Sequence, residues 1–109
     1  MGGAHSRRKG AAGELEVQAL YVKAGWADTH RNFMSGGMGG SDLVGGPDVP
    51  EVKRVKTSVR IWEWIEQAQG GTRDLRWALW FRRDHGQWFV TLDHARYLEL
   101  LDHERKASA

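Results

Sequence analysis

The chain has 109 residues, no cysteine, six tryptophans and a formal net charge of +2. This length predicts a single domain over residues 1–109, with flexible ends at 1–6 and 106–109, and the absence of cysteine excludes disulfides and thiolate metal sites. No apolar run is long enough to cross a bilayer, so no membrane association is expected, and the expected compartment is the cytoplasm. Residues 1–60 hold nine Lys/Arg against six Asp/Glu, a bias that favours a polyanionic partner.

The first half of the chain predicts one helix and three short strands. Ser6 is the expected N-cap of a helix that ends near Lys23, because apolar residues between them repeat at helical spacing. A strand is expected over 27–33 and a hairpin over 41–56. The glycine-rich segment 34–40 between them is expected to be a loop, either one that orders on a ligand or a plain linker.

The second half predicts a helix, two strands and a last helix. Ser58 is the expected N-cap of a helix that runs to about Gln69. Apolar alternation predicts an inner strand over 75–82, and 87–92 is its expected partner. Asp93 is expected to cap the last helix. The predicted order is therefore α-β-β-β-α-β-β-α, which defines an α/β fold with a mixed sheet, flanking helices and a C-terminal helix.

The hairpin carries the strongest chemical signal in the sequence. Side chains alternate along a strand, so Glu51 and Lys53 share one face while Val52 turns to the core. A turn at 45–48 returns Asp42 to the side of Glu51, and two carboxylates there can share a hard cation, with Lys53 beside a phosphate. The competing interpretation of so short a motif is an exposed hairpin with solvated charges.

Four segments in register resemble PD-(D/E)xK nucleases, close to archaeal-type and phage Holliday junction resolvases. They are 8–16 (RKGAAGELE), 30–37 (HRNFMSGG), 41–45 (SDLVG) with 51–54 (EVKR), and Gln67-Ala68 in the second helix. The resemblance covers roughly residues 7–92. It implies a restriction-endonuclease-like core in which Glu14, Asp42, Glu51, Lys53 and Gln67 are catalytic.

The same resemblance implies a magnesium site. Glu14, Asp42, Glu51 and the Val52 carbonyl are the expected ligands of Mg²⁺, for which Mn²⁺ would substitute. Glu16 is a weaker competitor of Glu14. The sequence departs from the family pattern at Ser41, where the family has Pro, while a literal Pro47-Asp48 follows. Asp42 is preferred over Asp48, because too few residues separate Asp48 from Glu51 to close a hairpin.

Basic residues around the proposed site are expected to grip DNA phosphates without reading sequence. The expected DNA-binding residues are Arg7, Arg8, Lys9, Arg31, Ser35, Arg54, Lys56 and Arg60. The resulting prediction is a Mg²⁺-dependent endonuclease of a prokaryotic or phage-infected cell that resolves four-way junctions as a homodimer. Candidate dimer contacts are Trp62, Trp64, Trp80 and Trp88. The alternatives are a phage nuclease that nicks or degrades other DNA, and a non-catalytic DNA-binding module with the same fold.

Overall fold

In the residues that the structure describes, three helices and five strands follow one another in the order α-β-β-β-α-β-β-α, as the sequence predicted. The computed structural model describes residues 2–33, 41–70 and 75–108, and only the backbone of 2–9. The elements are α1 (Gly2–Lys23), β1 (His30–Arg31), β2 (Leu43–Val44), β3 (Val49–Val55), α2 (Ile61–Gly70), β4 (Trp77–Arg83), β5 (Phe89–Leu92) and α3 (His94–Ala107). None of the helices in the described part of the chain has the length and apolar character needed to cross a membrane.

The main sheet is mixed and has three strands in the order β3-β4-β5. Strand β3 pairs with β4 in parallel, since α2 crosses over between them, and β4 pairs with β5 antiparallel through the 84–88 turn. Strands β1 and β2 form a separate antiparallel pair. No strand in the described part of the chain pairs with the edge of β3 that faces away from β4, and this edge positions the candidate site.

Apolar residues bury themselves on both faces of the main sheet. Helix α1 contributes Val17 and Tyr21 to a cluster with Leu43 and Val52, and helix α2 packs Trp64 into a second cluster on the other face. Two helices on opposite faces of one sheet form a layered α/β architecture. The chain is a small compact α/β protein whose described residues form three helices and a mixed sheet.

Several predicted boundaries were wrong. Helix α1 begins at Gly2, so Ser6 lies inside it, because the Ala, Arg and Lys residues of this segment are strong helix formers. Helix α2 begins at Ile61, and the Trp64 N–H donates to the Arg60 carbonyl at 3.0 Å, so Arg60 and not Ser58 occupies the N-cap position. The Asp93 cap of α3 is confirmed by a 2.8 Å bond from the Ala95 N–H.

The chain reverses direction within the predicted hairpin over 41–56, but the two strands of that hairpin do not pair with each other. Strand β2 pairs with β1 rather than with β3, although the chain does turn back at 45–48. Gly45 makes that turn at φ +85°, and a Cβ at this position would collide with the Asp28 carbonyl oxygen. The strand predicted over 27–33 is reduced to His30–Arg31.

Candidate active site

A cavity of about 300 Å³ opens where α1 meets the free edge of β3. Its lining residues come from three separate parts of the sequence: one helix, the residue before β2, and one strand. They are Gly10 and Glu14 of α1, Asp42, and Glu51, Val52, Lys53, Arg54 and Val55 of β3. The structure thus brings together Glu14, Asp42, Glu51, Val52 and Lys53, which the sequence predicted as one site.

Asp42 is fixed by main-chain bonds at the edge of β3. Its N–H donates to the Pro50 carbonyl at 3.0 Å, and its Oδ2 accepts from the Val52 N–H at 2.7 Å. A strand residue turns its N–H and C=O to the same side, so the Val52 carbonyl also faces this edge. Asp42 therefore stands beside Glu51 through bonds to the residues on either side of it.

Glu51 and Lys53 project from the same face of β3, as alternation predicted, while Val52 is buried. The Lys53 Nζ lies 3.5 Å from Glu51 Oε1. Glu14 reaches the cavity from the neighbouring helix, and its Oε1 accepts from Arg31 Nε at 2.9 Å. The cavity consequently holds three carboxylates and one ammonium group, with the guanidinium of Arg54 in its lining and that of Arg31 bound to Glu14.

Burial and mutual repulsion both disfavour the charged forms of Asp42 and Glu51. Burial raises the pKa of Asp42, and the negative charge of Glu14 raises it further, against the Val52 N–H and the Lys53 ammonium, which lower it. Burial, followed by repulsion from Asp42, raises the pKa of Glu51 to about 7, although Lys53 opposes the shift. A cation placed between Asp42 and Glu51 would relieve both effects.

Glu16 lies outside this cavity and is held by structural bonds. Its carboxylate accepts from Arg54 Nη1 at 3.1 Å, from Arg82 Nε and Nη2 at 3.1 Å each, and from Trp88 Nε1 at 3.2 Å. Because the Glu16 carboxylate already accepts four hydrogen bonds, it has little capacity left to bind a ligand. Of the two acids on α1 that the sequence offered, only Glu14 is available to the cavity.

Asp48 lies on another surface of the molecule. Its Oδ1 accepts from the Tyr21 hydroxyl at 2.7 Å, and that hydroxyl in turn accepts from Trp80 Nε1 at 2.9 Å. Asp48 lines a separate cavity of about 290 Å³ with Arg96 and other residues. The structure therefore places Asp42, and not Asp48, beside Glu51.

The remaining predicted site residues divide into three groups. Gln67 is exposed on α2 and does not line the cavity, whereas Lys56 and Arg60 are exposed between β3 and α2. Arg31 and Arg54 are already engaged, by Glu14 and by Glu16 respectively. Ser35 with its glycine-rich loop, and the side chains of Arg7, Arg8 and Lys9, lie outside the described residues.

Three of the four predicted dimer contacts are engaged within the monomer. Trp64 is buried against Phe81, and Trp80 is packed against Tyr21. Trp88 is half-buried over Glu16, while Trp62 is 77% exposed. The excess of tryptophan therefore serves the core in large part, and only Trp62 presents most of its surface to solvent.

Sequence reasoning missed the two ion-pair systems that hold the site in place, Arg31 with Glu14 and Arg54 with Arg82 on Glu16. These pairs join positions that are 17, 38 and 66 residues apart, so no local pattern identifies them. The one available signal was the surplus of Arg residues in the strands. Such residues need partners when they are partly buried.

The donors at the cavity fit a hard cation by their chemistry. Mg²⁺ prefers oxygen ligands, keeps several waters and is commonly bound by one or two carboxylates, which Asp42 and Glu51 can supply. No group of three or more His, Cys, Asp or Glu side chains within residues 2–33, 41–70 and 75–108 converges closely enough to hold a metal by itself. The cavity thus offers two adjacent carboxylates, Asp42 and Glu51, and the main-chain carbonyl of Val52, the residue that follows Glu51.

The chain was compared with protein-family models, with curated proteins and with solved structures, and none of these comparisons found a match.

Proposed function

We propose that this protein is a Mg²⁺-dependent, structure-selective DNA endonuclease with a PD-(D/E)xK-type core. One observation carries the proposal: Glu14, Asp42 and the β3 pair Glu51 and Lys53 come from three separate parts of the chain and line one cavity at the free edge of β3. Acids that repel one another at a partly buried position are costly unless they bind a cation. A cluster of this kind favours function over a solvated surface.

Asp42, Glu51 and the Val52 carbonyl are the groups that would hold Mg²⁺, with Glu14 at the border. When bound, the ion supplies a water of lowered pKa and stabilises negative charge on the phosphate. Arg31 holds Glu14 in place through its 2.9 Å bond. The main-chain bonds of Asp42 keep its carboxylate aimed at the cavity without reorganisation.

Lys53 has a separate task at the reacting phosphate. Its Nζ is 3.5 Å from Glu51, so it lies within reach of any group bound beside that carboxylate. An ammonium at this position donates to a phosphate oxygen and offsets the charge that develops during cleavage. Lys56 and Arg60 extend the positive surface beyond β3, and contacts of this type bind DNA backbone irrespective of sequence.

Four-way junction DNA is the proposed substrate, and paired cuts need two active sites, so the proposed active form is a homodimer acting in the cytoplasm. The rival with the same chemistry is a nuclease that nicks or degrades other DNA. A rival without chemistry is a DNA-binding module. A plasmid with an extruded four-way junction separates them, because paired cuts give linear product, single cuts give open circles, and the binding module gives neither.

The decisive experiment measures cleavage of labelled junction, Y-fork, duplex and single strand in Mg²⁺ and in EDTA. Cleavage of branched DNA in Mg²⁺ alone is expected, and Lys53→Ala should lower the rate roughly 100-fold or more. The matched control is Lys106→Ala, at the exposed end of α3. Equal cleavage by Lys53→Ala and wild type, or cleavage that persists in EDTA, would contradict the proposed mechanism.

A further inference from the structure

A groove of about 320 Å³ lies between the segment that precedes α2 and the turn that joins β4 to β5. Its lining consists of Val59, the aromatic rings of Phe81 and Phe89, and the residues Arg82, Arg83, Gly86 and Gln87. None of the described residues that line the groove is acidic. It is therefore an apolar slot with basic and amide groups at its border.

The aromatic side of the groove is packed against other rings. Phe81 contacts Trp64, with ring centroids 6.0 Å apart, and Phe89, whose ring stacks on it at 6.0 Å with 27° between the planes. Phe89 is nevertheless 54% exposed. A flat ring that is held from behind and open on the groove side is a platform for another flat ring.

The groove is close to the candidate active site. Val55 lines the site cavity and Val59 lines the groove, and the four residue-to-residue steps from one to the other span at most about 14 Å. In the sheet, Lys53 is in register with Phe81, and Phe81 with Phe89. Neighbouring strands are about 4.8 Å apart, which puts the Phe89 main chain roughly 10 Å from that of Lys53.

The surface between the two cavities is suited to a phosphate backbone. The connecting segment 56–60 carries the exposed Lys56 and Arg60, and Arg83 shares a strand face with Phe81. A stacked strand advances about 3.4 Å per nucleotide and an unstacked one more, so about two or three nucleotides cover the distance from site to groove. A phosphate at Lys53 therefore leaves a nearby base within reach of Phe89.

We propose that this groove binds an unpaired nucleobase of the DNA strand being cut, stacked on Phe89, a proposal that rests on the proposed nuclease function. A paired base cannot enter a slot on one protein surface, so the groove selects DNA whose bases are unpaired within a few nucleotides of the cut. The substrate class is then branched DNA with unstacked bases at the branch point. Stacking on an aromatic side chain is tolerant of base identity.

The test is a thermodynamic cycle in which the Phe89 ring and one DNA base are removed separately and together. Affinities are measured by fluorescence anisotropy, with Ca²⁺ in place of Mg²⁺, on forked DNA carrying a single abasic site at successive unpaired positions. At one position, two or three nucleotides from the mapped cut, the abasic site should weaken binding by wild type roughly five- to 150-fold. Phe89→Leu should bind intact fork as weakly as wild type binds the abasic fork, and should lose no further affinity there.

Two variants keep the result interpretable. Phe89→Tyr retains a flat ring and should restore the dependence on the base, while Leu98→Ala, on an exposed α3 residue away from the groove, should behave as wild type. If the DNA binds and is cut but no abasic position weakens binding, the groove proposal is overturned and the endonuclease proposal stands. If neither forked DNA nor a four-way junction is bound or cut, both proposals fail, and if only the four-way junction is bound and cut, the groove proposal alone is overturned.

Discussion

At the scale of single residues, Asp42 and Asp48 show that similar burial can accompany different roles. Burial raises the pKa of both carboxyl groups. The neighbours differ: Asp42 shares its cavity with Glu14, Glu51 and Lys53, whereas Asp48 accepts from the Tyr21 hydroxyl on another surface. A carboxyl next to other carboxyls calls for a cation, and one that is satisfied by a neutral hydroxyl does not.

Asp42→Asn should therefore lower cleavage by roughly 100-fold or more, because it removes a charged cation ligand. The amide oxygen can still accept from the Val52 N–H, so folding and DNA affinity should change little. Asp48→Asn is the matched control and should retain cleavage. Rates of single-turnover cleavage, with affinities measured in parallel, check this; loss in Asp48→Asn alone would show that the wrong aspartate was chosen.

Some residues of the site could be predicted from the sequence, and others could not. Strand alternation was sufficient to place Glu51 and Lys53 on one face, and the turn at 45–48 returned Asp42 to them. The pairing of Glu14 with Arg31 could not be predicted, because it depends on how α1 crosses the sheet. Gln67 was carried over from a family resemblance alone, and the structure leaves it exposed on α2.

At the scale of elements, Glu16 ties α1 to the sheet. Its carboxylate bonds Arg54 of β3, Arg82 of β4 and Trp88 just before β5. The Arg82 side chain is only 10% exposed, so its charge depends on Glu16 for compensation. Because Glu14 lies on the same helix, this attachment also determines where Glu14 stands relative to β3.

Glu16→Gln should destabilise the fold by about 2–3 kcal/mol, since it leaves a poorly solvated guanidinium without its counter-charge. Glu14→Gln should change stability by less than about 1 kcal/mol, because losing its bond to Arg31 is offset by relief of repulsion with Asp42 and Glu51. It should still lower cleavage strongly. Urea unfolding of both variants checks the order, and a larger loss in Glu14→Gln would contradict it.

Element boundaries depended on forces that a local pattern does not contain. The Asp93 cap was predictable because its side chain and the following helix are adjacent in sequence. The start of α2 was not, since Arg60, which has no side-chain capping signal, accepts the first helical bond, and Ser58 and Val59 lie before the helix. Strand β2 likewise paired with β1, where sequence spacing alone favoured β3.

At the scale of the whole molecule, the candidate site lowers the stability of the fold, and the packing of the rest of the molecule must offset this loss. Two apolar clusters secure α1 and α2 on opposite faces of the sheet, while three acids gather at the free edge of β3. Natural folds concentrate unfavourable interactions of this kind at functional sites. The free energy of unfolding of the whole protein should therefore change when the charges of the acids at this edge change.

Without metal, the stability of the protein should fall as the pH rises from about 4.5 to about 7. The pKa of Glu51 is raised from 4.5 to about 7 in the folded protein, so the folded state binds this proton more tightly than the unfolded chain does. The stabilisation that comes from this proton is complete below about pH 4.5 and is lost as the pH rises past the folded-state pKa of about 7. The loss is on the order of 3 kcal/mol.

Urea unfolding in EDTA between pH 4.5 and 8 measures this, and Glu51→Gln isolates it, because other titrating groups are common to both proteins. The difference in unfolding free energy between variant and wild type should grow across that window, and a difference independent of pH would contradict the assignment. At pH 7.5, Mg²⁺ at about 100 times its Kd should restore about 2.7 kcal/mol to the wild type. Asp42→Asn should recover much less, because the ion stabilises the fold only where both carboxylates can bind it.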